Sequence, residues 1–418
     1  MLLTERHTIR RGDSRFDFLD AEAFKSKNLY NATLYAVRQH FFETGEYLPY
    51  ARLQKKFQDE SQPDYKALPS KVAQQTMKMV DQNFRAFFKA LKSYKQHPEK
   101  FTGRPKLPKY LDKKDGRYIL TYTNQAVSKK EHEKNRVVKL SGIDVSVKTR
   151  VPYQQIQQVR VVKRLDCYVV EVVYETPDVK PMAGDNGRYC AIDLGVSNFA
   201  TVTSNIPGFM PYVVDGRELK SYNRSYNKEL SNAKSILDTR NKGRKSSRRI
   251  RRLTEKRNNK VRDFMHKASR MITNQLASDG VSTVFVGKND GWKQDVNIGA
   301  RNNQNFVQIP YEMFISQLTY KCAMLGISVK TVNESYTSKC SFLDGEEICK
   351  HERYLGKRIK RGLFRASDGR LINADVNGSY NILRKCKPEA FDADGVVGAL
   401  VHPVRHKNHE AVSRNFRV

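Results

Sequence analysis

AIDLGVSNFATVT, residues 191–203, decides how this chain is read. Its apolar run into Asp193, followed by Leu194 and Gly195, is that of a β-strand passing straight into a D-x-G turn. A second string, NADVNGSYNIL at 373–383, puts Asp375 at the start of a helical stretch whose small residues, Gly378 and Ser379, permit close packing. An Asp at a strand end or a helix cap is, alone, most often structural. The pair, inside a strongly basic chain, points further. Two hard cations about 3.5–4 Å apart on one phosphate need oxygen ligands, and carboxylates supply them. The two strings together suggest nucleic-acid cleavage.

Charge supports that reading. The 418 residues, enough for two or three domains, carry 76 Lys+Arg against 44 Asp+Glu, a formal net charge of +32. Such an excess fits a polyanionic partner held over a long surface. The 21 Tyr and 20 Phe suit stacking on bases as well as core packing, and Trp292 is the single tryptophan. No window approaches 18 uninterrupted apolar residues, so a membrane span is not expected. The start, MLLTERHTIRR, is charged where a signal peptide needs an apolar stretch, which argues against export. Cys167, Cys190, Cys322, Cys340, Cys349 and Cys386 form no C-x-x-C pair and read as reduced thiols.

Along the chain, apolar spacing predicts helices over 26–47 and 68–95, the second carrying Val72, Met77, Val80, Phe84, Phe87 and Leu91. A basic, Gly- and Pro-broken loop follows at 101–116, with Arg104, Lys106 and Lys109 available to nucleic acid, or simply solvated. RYILTYT, VVKLSG, QVRVVKR and YVVEVVYE then predict a strand meander over 117–175, turning at Leu165–Cys167. Residues 176–188 read as a linker. Beyond it come the Asp193 strand, a strand near 198–203, a helical hairpin over 216–239 and 246–278, a strand at 281–287, a helix at 310–325 and a strand at 327–333. That alternation is the pattern of an RNase H-like domain. Between Arg240 and Arg262 stand twelve Lys/Arg against one acid, Glu255. The candidates for phosphate contact there are Arg244, Lys245, Arg248, Arg249, Arg251, Arg252, Lys256 and Arg257. The tail from Pro388 shows no convincing period and is expected to be mobile or loosely packed.

Taken together, SKNLYNATLYAVRQ (26–39), GRPKLPK (103–109), AIDLGVSNFATV, FVGKNDGWKQ (285–294), ESYTSKCS (334–341) and ADVNGSYNI (374–382) resemble the TnpB family, the RNA-guided nucleases of insertion sequences related to Fanzor proteins and compact type V CRISPR effectors. The resemblance implies an α+β multidomain protein. A wedge-like β-barrel (1–25 and 101–180) would be interrupted by a helical recognition domain (26–100). A RuvC, RNase H-like nuclease domain (185–335 and 373–387) would carry a helical insertion (216–278) and a zinc-ribbon-like insertion (336–372), with a tail at 388–418. Guide RNA, target double-stranded DNA and two Mg²⁺ ions, for which Mn²⁺ could substitute, are the implied partners and cofactors. A cytoplasmic, nucleoid-associated place in a prokaryotic host is implied as well.

The sequence departs from the family at two places. The family's catalytic Glu at the end of the strand after the helical insertion is Gly287 here. Glu334 closes the next strand, and neighbouring strands lie about 4.8 Å apart, so Glu334 is expected to join Asp193 and Asp375 as metal ligand and catalytic acid. Its other reading is an exposed acid or a cap for the following turn. Asp290 and Asp295 are weaker substitutes. Asn198 and Asn381 are expected to support the ligands, and Trp292 and His351 to be packing and surface residues. The second departure is the ribbon: Cys340 stands, but the other cysteine positions hold Leu343, Arg365 and Asp368. Cys340, Cys349 and His351 make three irregularly spaced ligands at most, so no zinc is expected. Lys357, Arg358, Lys360 and Arg361 keep that insertion basic enough for nucleic acid. The expected activity is RNA-guided DNA cleavage. A nuclease-inactive guided DNA-binding protein, kept open by Gly287, and an RNA-free transposase or resolvase are the alternatives.

Overall fold

The computed structural model describes residues 1–177, 185–240, 243–289, 299–391 and 402–407. Asp290, Trp292 and Asp295 lie outside the described residues. The chain forms two compact units, Met1–Pro177 and Asp178–Val418.

The first unit begins with β1 (Leu2–Arg10) and a long helix, α1 (Arg15–Thr44), which stops at Gly45 with φ +74°. α1 starts earlier than the sequence reading, because Phe16, Leu19 and Ala23 already continue its buried stripe. The expected helical boundary at residue 26 is corrected to 15. Two short helices not read from the sequence, α2 (Tyr50–Asp59) and α3 (Pro63–Lys66), precede α4 (Ser70–Gln96). Val72, Met77, Val80 and Phe84 of α4 are buried in one core with α1, whereas Phe87 and Leu91 are only partly buried. β2 (Leu120–Thr123), α5 (Lys129–Asn135), β3 (Val137–Lys139), β4 (Ser146–Lys148), β5 (Ile156–Lys163) and β6 (Cys167–Glu175) follow. The antiparallel sheet runs β1-β6-β5-β2, and β3–β4 is a separate ladder. The expectation was a barrel; among the described residues no ladder joins β1 to β2, so this sheet is open.

The second unit holds the site. β7 (Tyr189–Leu194), β8 (Asn198–Ser204) and β9 (Tyr212–Asp215) form an antiparallel meander. The hairpin α6 (Arg217–Arg240) and α7 (Arg248–Ser278) then crosses to β10 (Thr283–Gly287). α8 (Ala300–Val307) and α9 (Tyr311–Ala323) lead to β11 (Ser328–Val332). β10 is parallel to both β7 and β11. A three-stranded antiparallel lobe, β12 (Lys357–Lys360), β13 (Leu363–Arg365) and β14 (Leu371–Asn373), runs directly into α10 (Ala374–Cys386). The last strand, β15 (Val404–His406), lies parallel to β9, giving the order β11-β10-β7-β8-β9-β15. The tail was expected to be mobile or loosely packed; of its described residues, Val404–His406 supply that edge strand and Phe391 stacks its edge on Phe342 at 5.2 Å, while 392–401 and 408–418 lie outside the described residues.

Period-two alternation sorts the two faces of the central strands. Cys190, Ile192 and Leu194 of β7 and Val284 and Val286 of β10 enter the core built with α7 and α9. Tyr189, Ala191 and Phe285 pack instead with Ile382 and Leu383 of α10. Asp193 and Gly287 share the parity of this second set. They therefore face α10 at the carboxyl ends of parallel strands, where open α/β sheets place their ligand sites.

Candidate functional site

α10 is held onto the sheet by the polar residues of its own sequence. Asn373 caps it, accepting from the backbone N–H groups of Asp375 (3.0 Å) and Val376 (3.2 Å). Ser379, fully buried, lies 3.1 Å from the carbonyls of both Ala191 and Thr201. Gly378 approaches Asp193 so closely that a Cβ there would stand 3.3 Å from its Oδ2. These contacts bring Asp375, in the first helical turn, beside Asp193 at the end of β7.

Glu334 completes the group. Gly287 pairs with Val332, and Glu334 follows two residues later with the same parity. A Cβ built on Gly287 would lie 2.6 Å from Glu334 Oε2 and 2.5 Å from Ile382 Cδ1. The Glu334 carboxylate thus occupies the space a side chain at 287 would fill. Asn289 fixes it, accepting from the Glu334 N–H at 3.0 Å and donating to Oε1 at 3.5 Å.

Electrostatics tie the three carboxyls together. All three are half-buried. Burial, then the charges of Asp375 and Glu334, raise Asp193 well above the usual carboxylate range. Burial also pushes Glu334 up to about 7. Arg358 lies 3.6 Å from Asp375 Oδ1, and Asn198 donates to Asp375 Oδ2 at 2.6 Å. Among the described residues no three His, Cys, Asp or Glu side chains close into a ready-made metal cage. The trio is an open set of hard oxygen donors, the donor type that Mg²⁺ and Mn²⁺ take.

Asp375 also lines an open cleft of about 670 Å³ together with Asn198, Arg217, Arg358, Lys360, Arg361 and Arg405. Arg361 donates to Ser197 Oγ at 2.9 Å. Lys357 is exposed on β12. On α7, Arg248, Arg252 and Lys256 are spaced by four and exposed, with Arg249 beside them and Arg244 and Lys245 exposed in the preceding loop. Arg251 is half-buried. In the first unit, Arg104, Lys106 and Lys109 are exposed while Leu107 and Leu111 anchor their loop to the core.

Two sequence expectations need correction. Arg257, grouped with the phosphate-binding set, falls on the inward stripe of α7 with Ile250 and Val261. Its guanidinium bonds Asn223 Oδ1 (2.8 Å), Asn258 Oδ1 (3.0 Å) and the Gln308 carbonyl (2.7 Å). Arg257→Ala is expected to cost about 2 kcal/mol of stability, read by thermal melting, with little change in RNA affinity. Asn381, expected to support the metal ligands, donates instead to the carbonyls of Thr337 (2.9 Å) and Cys340 (2.7 Å). It holds the loop that follows Glu334. The sequence reading missed Asn289 and Arg405. Asn289 lies in FVGKNDGWKQ and could have been found there; Arg405 depends on the pairing of β15.

In the lobe, Cys349 Sγ lies 3.4 Å from His351 Nε2, and Cys340 Sγ faces the Cys349 carbonyl at 3.7 Å. Phe342, Phe364, Ile372, Ala374, Val376 and Tyr380 form its apolar core. The insertion, which was expected to hold without zinc or to be partly disordered, is described as this folded lobe.

The family OrfB_IS605, described as a probable transposase, matches residues 167–293, and the Cas12f1-like TNB domain matches 311–382. Asp193 and Gly287 fall in the first match, and Glu334 and Asp375 in the second. A TnpB-like protein, ORF457 of Acidianus two-tailed virus, is 25% identical over 226 residues, covering 52% of this chain and 44% of that relative. The chain thus spans less than half the length of that relative. The solved structure of a Cas12f1–sgRNA–target DNA complex aligns with 88% of this chain and 82% of its own, with a TM-score of 0.54 and 16% identity, a likeness of fold.

Proposed function

Because the chain belongs to the TnpB family, we propose that it is an RNA-guided DNA endonuclease whose RuvC-like second unit hydrolyses phosphodiesters at Asp193, Glu334 and Asp375. The observation that carries this reading is Glu334 Oε2 standing 2.6 Å from where a Cβ of residue 287 would be. An acid just beyond the end of β11 thus lies where a side chain on β10 would stand, which supports the reading.

When bound, two Mg²⁺ ions would activate water for in-line attack and stabilise the leaving oxygen. Asp193, Glu334 and Asp375 would hold them, the first from β7, the second from just past β11 and the third from α10. Asn198 and Asn289 keep two of these carboxylates oriented. Arg217, Lys360 and Arg361 on the cleft wall would draw in a single strand by its phosphates. Guide RNA and target DNA would occupy the basic surfaces, base pairing would supply sequence specificity, and the protein would read a short flanking motif. No zinc is assigned to the lobe.

The test is cleavage by the protein purified with its own RNA, on duplex DNA carrying the matching target beside randomised flanks. Mg²⁺-dependent cuts lost in Asp193→Ala support the proposal. Tight guided binding without cuts would make the chain a guided binder.

Two further outcomes are expected. Replacing Arg248, Arg249, Arg252 and Lys256 by Ala should lower the salt slope of nucleic-acid binding by about one for each phosphate that is no longer neutralised, measured by titration across salt concentrations. The second concerns pH. Glu334 holds its proton more tightly folded than unfolded, so it favours the metal-free fold as pH falls below about 7. That contribution is lost as pH rises through the same value. Mg²⁺ needs the deprotonated form, so the rise in Tm on adding Mg²⁺ should grow from about pH 6 to about pH 8.

A further inference from the structure

The edge strand β15 carries one side chain that reaches the carboxylate centre through a single intermediary. β15 is fixed by its ladder to β9, by the Val404 N–H donating to the Pro211 carbonyl at 3.0 Å, and by His406 packing edge-on against Tyr212 at 5.4 Å. Between these anchors, Arg405 donates from one guanidinium nitrogen to Asn198 Oδ1 at 3.0 Å. Another of its nitrogens lies 3.7 Å from Asp215 Oδ2, a buried carboxylate also bonded by Arg217. The opposite end of the same Asn198 amide donates to Asp375 Oδ2 at 2.6 Å. The ladder between β8 and β9 shifts register between Asn198 and Ala200, and such irregularities re-aim side chains at strand ends.

We propose that Arg405 is a positioning residue for the carboxylate centre, acting through Asn198 on Asp375. The inference rests on the reading of Asp193, Glu334 and Asp375 as divalent-cation ligands. An amide has one acceptor end and one donor end. A guanidinium held against Oδ1 therefore commits the Asn198 NH₂ to Asp375. Without it, Asn198 is free to turn and present its carbonyl oxygen to a carboxylate, which repels it. Asp375 would then lose the bond that fixes which of its oxygens is left for a cation. Arg405 is 41% exposed on the cleft wall, so a direct contact with a substrate phosphate is the rival role.

The experiment measures Mn²⁺ binding by calorimetry and electron paramagnetic resonance, using the full chain with its RNA and no target DNA. Arg405→Ala, Asn198→Ala and the double variant are compared with wild type. Losing an outer support of a metal ligand costs about tenfold or more in affinity. Arg405→Ala and Asn198→Ala should each weaken Mn²⁺ by about tenfold, and the double variant should be no worse than Asn198→Ala alone. Arg405→Lys, which keeps a donor, should recover most of the loss. Val404→Ala, which weakens the strand and spares the guanidinium, should bind Mn²⁺ as wild type does. Unchanged Mn²⁺ affinity in Arg405→Ala, or additive losses in the double variant, overturn the inference. A wild type that binds Mn²⁺ in an Arg405-dependent way but never cuts a guided target removes the nuclease reading and leaves the inference standing. A wild type that binds no Mn²⁺ removes both.

Discussion

Glu334→Ala is expected to slow Mg²⁺-dependent cleavage by at least about 10³-fold, roughly 4 kcal/mol of transition-state stabilisation, with target binding unchanged. The turn after Glu334 is held through its backbone carbonyl, which accepts from Thr337 Oγ1 at 2.8 Å. Truncation at Cβ therefore spares the turn and removes only the carboxylate. Single-turnover cleavage with saturating RNA separates this from a binding defect. Moving the acid back gives a sharper test. Gly287→Glu alone should also be inactive, because its Cβ would meet Glu334 Oε2 at 2.6 Å and Ile382 Cδ1 at 2.5 Å. Combining Gly287→Glu with Glu334→Gly and Ile382→Val clears both obstacles and should recover cleavage. Wild-type rates in Glu334→Ala would reduce that residue to an ordinary turn acid.

The second large effect concerns the lobe. Phe364 is 1% exposed, at the centre of its small apolar core. Phe364→Ala is expected to cost about 3–5 kcal/mol, seen as lost hydrogen-exchange protection across β12, β13 and β14. A zinc chelator should leave the same amides protected. The reverse pattern, collapse with chelator and tolerance of Phe364→Ala, would show that Cys340, Cys349 and His351 hold a metal after all.

Much of this architecture is legible in sequence because it rests on periodicity. Alternation in the Asp193 strand and four-residue spacing in the α6–α7 hairpin are local signals, and they place Asp193, Arg248 and Arg252 where the structure has them. Asp375 could be read because a small-residue helix start is local too. Arg257 could not be sorted from its neighbours by charge; its inward position follows only from sharing a stripe with Ile250 and Val261. The β1–β6 pairing joins residues far apart in the chain, so the open edge of the first sheet had no local signature. β15 is a three-residue strand whose partner lies nearly two hundred residues upstream, and the Arg405–Asn198–Asp375 chain depends entirely on that pairing.

The position of Glu334 outside β10 has a mechanical consequence. An acid on β10 would be bedded in a core strand. Glu334 stands instead where the chain leaves the sheet for the lobe, and Asp375 stands where it returns. The lobe is therefore strung between two of the three acids. Asn377 and Asn381 act as rivets, both fastened to the Cys340 carbonyl near the lobe's entrance. A misplacement of about 1 Å can cost a hundredfold in rate. In a guided nuclease built this way, tension on the lobe would act as a throttle, closing or opening the span between acids without touching either one.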